Sequence, residues 1–106
     1  MSSSPLDEQS LSQADLREIH AALFAQLITS HAHSAMILLG RYPDPSTGQT
    51  RIPDPEEAKI YIDQLEMLQA KTRGNLGPDE IALLERLLRT TGSALVQAID
   101  AAGGQS

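Results

Sequence analysis

Apolar residues recur at intervals of three and four positions in three stretches of the chain, a spacing that places them on one side of an α-helix. The first stretch follows Ser12, a residue type that caps helix N-termini, and stops at Gly40, a residue type that follows helix C-termini. Its regularly spaced apolar residues are Leu16, Ile19, Leu23, Leu27 and Leu38. This pattern predicts a first helix over about residues 12–39.

A proline-rich segment, RYPDPSTGQTRIPDPEE, interrupts the helical pattern after Gly40, because proline lacks the backbone N–H group that a helix interior needs. The end of this segment is a helix start. Asp54 is a good N-cap, Pro55 suits the first helical position, and the glutamates that follow favour the positive end of a helix. The second predicted helix runs from residue 55 to about 73, with an apolar face formed by Ala58, Ile62, Leu65 and Leu68.

The third predicted helix spans residues 78 to about 101. Pro78 and two acidic residues begin it, and two glycines follow it. Gly92 lies in its middle, where glycine costs about 1 kcal/mol relative to alanine. That glycine predicts either a bend in the helix or the close approach of another backbone.

The segment between the second and third helices, KTRGNLGPDE, invites comparison with a phosphate-binding loop. Such a loop places Lys-Ser/Thr after its glycines, whereas Lys71 precedes both glycines here and acidic residues open the next helix. Gly74 instead stands where a helix C-terminus favours glycine. We therefore interpret residues 71–80 as a connection between helices that binds no ligand.

The composition favours a single all-α domain. The chain has 106 residues, of which 41% are hydrophobic and only 3% aromatic, so Leu, Ile, Ala and Met must form the core. We predict a flexible N-terminal arm over residues 1–11, one helical domain over residues 12–102 and a tail over residues 103–106. The three helices are expected to form a bundle, or an open protomer that packs into an oligomer or larger complex.

Net charge and cysteine content restrict the partners and the compartment. A net charge of −6 opposes contact with a phosphate backbone, and the basic residues are scattered, so we expect no nucleic-acid binding. The N-terminal residues lack the basic and apolar regions of a signal peptide, and Gln26, His31 and His33 interrupt the apolar first helix. We therefore expect no membrane insertion. The chain has no cysteine, which is compatible with the cytoplasm, where we place the protein.

The sequence resembles a known family, domain of unknown function 1844. The resemblance rests on SAMILLG with the turn PDPSTGQT, on EEAKIYIDQLEMLQAKTRGNL and on DEIALLERLL, and it covers roughly residues 23–100. Its most specific element is IDQLEMLQAKTRGNL. The resemblance implies a small all-helical protein and assigns no catalytic residue.

The candidate catalytic and metal-binding side chains do not converge. His31 and His33 point to nearly opposite sides of a helix, and His20 lies about three turns, ~16 Å, from His31. Lys59 and Asp63 form an i,i+4 pair, which is typical of a solvated helix face. We predict no catalytic residue, no metal site and no cofactor, hence no enzyme. A metal site shared between subunits stays an alternative.

The apolar residues exceed what three helices can bury against one another, because a bundle helix needs an apolar stripe only a little over 100° wide. This surplus predicts contact with another protein chain; scattered surface hydrophobic residues are the ordinary alternative. The residues that we predict to bind the partner are Phe24, Ile28, Ala32, Met36, Leu39, Ile60, Met67, Leu83 and Ala94. We expect Leu27 and Ile37 to be buried, and Ile60 and Met67 to face outward.

The sequence therefore predicts a non-catalytic helical protein-interaction module. It would act either as a homo-oligomer or as a small accessory subunit of a larger complex. The alternative is a module that binds a small ligand or a metal at an oligomer interface.

Overall fold

The computed structural model describes residues 12–103 and contains three helices. These are α1 (Gln13–Leu38), α2 (Pro55–Lys71) and α3 (Pro78–Gly103), and each packs against the other two. The predicted all-α, three-helix fold is confirmed. Compared with the predicted bounds, α2 stops two residues earlier and α3 continues two residues further. The predicted arm over residues 1–11 lies outside the described residues, as does the predicted tail after Gly103.

Side-chain caps begin the helices where the sequence indicates. The Ser12 hydroxyl accepts the Asp15 N–H at 3.1 Å, and the Asp54 carboxylate accepts the Glu57 N–H at 3.2 Å. At the start of α3 the N–H of Gly77 donates to the Glu80 carboxylate at 2.7 Å. Each cap satisfies a backbone donor that has no partner within the helix.

The core consists of two clusters that also fix the directions of the helices. The lower cluster contains Ile28, Ala32, Leu65 and Leu84, and the upper cluster contains Met36, Leu38, Leu39, Ala58 and Ala94. Residue numbers rise from the lower to the upper cluster on α1 and α3 but fall on α2. The bundle is therefore up-down-up, with α2 antiparallel to both neighbours.

The loop after α1 is held by backbone hydrogen bonds. The N–H groups of Gly40 and Arg41 donate to the Ile37 and Met36 carbonyls, and the Asp54 N–H donates to the Leu38 carbonyl at 2.7 Å. The first pair of bonds forms a Schellman motif, which ends a helix with a residue at positive φ. Gly40 adopts φ +75°, as this motif requires.

The turn at Asp44 is the most polar part of this loop. The Asp44 carboxylate accepts the hydroxyl of Ser46 at 2.7 Å and its N–H at 2.9 Å, and these bonds lower the pKa of Asp44. A carboxyl whose pKa is lower in the folded state contributes stability above its unfolded pKa and loses it as the pH falls through its folded pKa. The contribution of Asp44 to the stability of the turn is therefore complete near neutral pH and is lost in acid.

Gly92 lies within the continuous α3, and no atom outside its own helical surroundings lies within 4 Å of a Cβ built at this position. Of the two alternatives for Gly92, a bend or a close backbone, the close approach of another backbone is therefore not observed.

We predict that Gly92→Ala raises the free energy of unfolding by about 1 kcal/mol, because alanine has the higher helix propensity and its methyl group meets no neighbour. Urea unfolding followed by circular dichroism measures this change. A loss of stability would show that the position is more crowded than the structure indicates.

Candidate interaction surface

The nine residues predicted to contact a partner divide into buried and accessible groups. Phe24 and Leu83 are partly buried and pack against the lower cluster. Ile60 and Met67 are 53% and 45% exposed. The other five are buried in the protomer's own core: Ile28, Ala32, Met36, Leu39 and Ala94. A surface for a partner must therefore be built from other residues together with Ile60 and Met67.

Two leucines of α1 supply the missing part of that surface. Leu23 and Leu27, one helical turn apart, are 56% and 44% exposed. Leu27 is not part of the protomer's core, because α2 and α3 meet α1 on the side of Ile28, so its expected burial would require a partner. Ile37 is only partly buried. The exposed leucines are detectable in the sequence, because Leu16, Ile19, Leu23 and Leu27 form a second apolar stripe on α1 beside the core-facing one.

A polar contact between α1 and α2 indicates which exposed residues of the two helices are level with each other. His31 Nε2 lies 2.8 Å from Oε1 of Gln64, which joins α1 to α2 at their outer surface. Because the two helices are antiparallel, Leu27 on one side of His31 is level with Met67 on the corresponding side of Gln64. By the same reasoning, Ile60 lies level with the next turn of α1, at Ser34.

We name this surface the α1–α2 face. Its apolar members are Leu23, Leu27, Ile60 and Met67, and its polar members are Ser30, His31, Ser34 and Gln64. The exposed fractions of the four apolar side chains add up to about two fully exposed side chains.

The His31 ring fixes the centre of the α1–α2 face. Its Nδ1 lies 3.2 Å from the Leu27 carbonyl oxygen, and its ring meets Tyr61 edge to face at 5.7 Å. The imidazolium form donates to both oxygens, and the neutral ring is satisfied when the Gln64 amide turns to donate instead. These contacts position α2 against α1 and present an ordered surface to a partner.

The α1–α2 face is free of formal charge along α1. Residues 19–40 contain no Asp, Glu, Lys or Arg, in a chain whose net charge is −6. On α2, Ile60, Gln64 and Met67 are also uncharged, and the charged residues Glu57 and Lys71 lie one turn beyond them at the two ends of the same stripe. Charged side chains are depleted at the centres of protein interfaces, so this composition is typical of such a centre.

The exposed apolar residues of α3 are more scattered. Ile81, Val96 and Ile99 are 44%, 55% and 50% exposed, and fifteen positions separate the first two, or ~22 Å along a helix. Glu85 and Arg89 lie between them.

The charged residues of α2 next to Ile60 and Gln64 are paired with each other: Asp63 accepts a hydrogen bond from Lys59 at 2.9 Å and raises the pKa of that lysine. This side of the bundle is therefore more polar than the α1–α2 face.

The histidines and the connection between α2 and α3 are the remaining candidates that the sequence offered for a metal or ligand site. Among residues 12–103, no group of three or more His, Cys, Asp or Glu side chains is arranged to hold a metal ion. His33 lies against Tyr42 with ring centroids 5.1 Å apart, and His20 is exposed. The connection between α2 and α3 flanks a hollow of about 300 Å³. At the start of α3 the Gly77 N–H already donates a hydrogen bond to the Glu80 carboxylate. A phosphate bound there would have to compete with that carboxylate.

Within the described part of the chain, α1 is long and apolar enough to cross a membrane by length and composition alone. Core helices of soluble proteins satisfy the same criterion. In this protein α1 packs against both α2 and α3. The absence of membrane insertion stays a prediction.

A family model described as a domain of unknown function, DUF1844, matches residues 21–97. The match includes all of α2 and most of α1 and α3. No curated protein and no solved structure matches the chain. Because the family model covers well over half of the sequence and the whole of the two-cluster core, the chain belongs to the DUF1844 family.

Proposed function

We propose that this protein is a non-catalytic, helical protein-interaction module that binds another protein chain through the α1–α2 face. The observation that supports the proposal is the grouping of Leu23, Leu27, Ile60 and Met67 on one surface whose α1 side carries no charged residue between positions 19 and 40. The fold has already buried enough apolar residues to form two core clusters without them. These four side chains therefore lie outside the protomer's core and are accessible to a partner.

The energy available from this surface sets the expected strength of binding. Fully burying one large apolar side chain is worth about 1.5–3 kcal/mol, so the four half-exposed side chains supply roughly 3–6 kcal/mol. Association itself costs an estimated 4–15 kcal/mol. The partner must therefore contribute a comparable apolar surface, and binding is expected to be concentration-dependent and no tighter than about micromolar. The same surface would serve an accessory subunit of a larger complex.

We predict that Met67→Glu weakens binding to the partner without unfolding the protein. A glutamate at this position is solvated in the free protomer, whereas in the complex it would be a buried charge without a partner. Affinity purification from the native host with wild-type and variant bait measures the loss, and circular dichroism confirms that helicity is unchanged.

Val96→Glu is the matched control, because Val96 is a similarly exposed apolar residue on α3 and lies outside the α1–α2 face. It should retain binding. Equal capture by wild type and Met67→Glu, or capture of no protein by the wild type in any form, would contradict the proposed function.

A further inference from the structure

We infer that a hollow between α1 and α3 of a single protomer binds a small organic anion, a molecule with a carboxylate or phosphate group next to an apolar part. The inference goes beyond the proposed function, because this α1–α3 hollow lies on the other side of α1 from the α1–α2 face. His33 lines the hollow, whereas His31, which points to nearly the opposite side of the helix, contacts Gln64 in the α1–α2 face.

The walls of the α1–α3 hollow are polar and its floor is apolar. Thr29 and His33 line it from α1, and Arg86 and Thr90 line it from α3, each pair one helical turn apart. The floor consists of residues of the core clusters: Ala32, Met36 and Leu87. The volume is about 260 Å³, close to the lower end of the roughly 300–1,000 Å³ of small-molecule sites. The hollow therefore suits a small ligand with one polar and one apolar end.

The loop after α1 closes the upper end of the hollow. Tyr42 lines it from this loop and lies against His33, with ring centroids 5.1 Å apart. The Arg41 guanidinium donates a hydrogen bond to Oε1 of Gln97, which lies two turns above Thr90 on the same stripe of α3. These two contacts hold the loop across the groove between the helices, so the hollow is bounded on three sides.

The polar groups around the hollow are hydrogen-bond donors, and none of them is a carboxylate. The Arg86 guanidinium has no ion pair or hydrogen bond to any residue in the range 12–103. Its sequence neighbour Glu85 lines the hollow between α2 and α3 instead. A free guanidinium matches the oxygens of a carboxylate or phosphate with two parallel hydrogen bonds. The imidazole of His33 and the hydroxyl of Tyr42 can donate further bonds to the same oxygens.

The charges near the hollow also favour an anion. The chain has a net charge of −6, yet residues 19–40 contain no charged side chain. Residues 86–99 of α3 contain two arginines, Arg86 and Arg89, and no Asp or Glu. These two segments run side by side in the same direction, since α1 and α3 are parallel. A bound anion therefore meets positive charge and no carboxylate from either wall, whereas a cation would have no charged ligand.

Binding of two aromatic anions, benzoate and phenyl phosphate, to the full chain tests the inference, with neutral benzamide as the comparison ligand. Titrations followed by NMR measure the dissociation constants. We expect at least one anion to bind at least about tenfold more tightly than benzamide, because a charge-assisted hydrogen bond to Arg86 is lost in the neutral ligand. The anion that binds more tightly identifies whether the site takes a carboxylate or a phosphate.

Arg86→Gln should weaken this binding at least about tenfold, through loss of the same bond. Arg89→Gln is the matched control, because it removes the same charge from an exposed position of the same helix but does not line the hollow. It should bind the anion like the wild type. Both arginines are exposed, so circular dichroism should show unchanged helicity in both variants.

Three outcomes would overturn the inference. The first is that neither anion binds at millimolar concentration. The second is that benzamide binds as tightly as the anions, because the arginine would then contribute nothing. The third is an equal loss of binding in Arg86→Gln and Arg89→Gln, which would indicate attraction to general surface charge. None of these outcomes bears on the α1–α2 face, and Met67→Glu should bind the anion like the wild type.

Discussion

Leu65→Ala is expected to lower the free energy of unfolding by about 2–5 kcal/mol, the range measured when a buried leucine is truncated and leaves a cavity. Leu65 is fully buried at the centre of the lower cluster, where α2 meets Ile28 of α1 and Leu84 of α3. A domain of this size has a total stability of only about 5–15 kcal/mol. The variant should therefore lose a large share of its stability and unfold at a clearly lower urea concentration than the wild type.

Urea unfolding followed by circular dichroism measures this loss, and Ile99→Ala is its control. Ile99 is 50% exposed near the end of α3, so its truncation should cost under about 1 kcal/mol. A similar cost for the two variants would mean that Leu65 is not a central contact between the three helices.

Gly40→Ala is expected to destabilise the protein by about 2–5 kcal/mol, through two additive effects. Gly40 adopts φ +75°, a conformation that costs an L-residue about 1–2 kcal/mol. A Cβ at this position would also lie 2.7 Å from the Arg51 carbonyl oxygen, which belongs to the returning loop. Relieving that contact must move the loop away from α1, and overpacking of this kind adds about 1–3 kcal/mol.

Gly48→Ala separates the two effects. Gly48 has the same φ of +75°, but no atom lies within 4 Å of a Cβ built there. Its substitution should cost only the conformational part, about 1–2 kcal/mol. Thermal unfolding of both variants at one pH gives the comparison. An equal loss would show that the contact between Gly40 and the Arg51 carbonyl does not constrain the loop.

The helices were predictable from the sequence because their limits are determined locally. Ser12 and Asp54 each satisfy a backbone donor within three residues, and Pro55 and Pro78 are compatible only with the first turn of a helix. Gly40 and Gly74 adopt positive φ after α1 and α2. None of these signals depends on tertiary contacts, so each can be recognised from a few neighbouring residues of the sequence.

The candidate surface was only partly predictable, because α1 has apolar residues on two sides. Spacing alone does not decide whether the side with Ile28 or the side with Leu27 meets the rest of the bundle, since both are apolar over several turns. Ile60 and Met67 were easier to assign, because α2 has a single well-defined apolar face and these two residues lie opposite it. The side of α1 that becomes the core follows only from how α2 and α3 pack against it.

Capture of a partner by the wild type and by the two matched variants is the most direct test of the α1–α2 face. Bait concentrations from about 1 to several hundred micromolar cover the range in which an association of this strength appears. We expect the wild type and Val96→Glu to retain the same protein, whether a second copy of the chain or a different one, and Met67→Glu to lose it. A partner that wild-type protein and Met67→Glu capture equally well would contradict the assignment of this face.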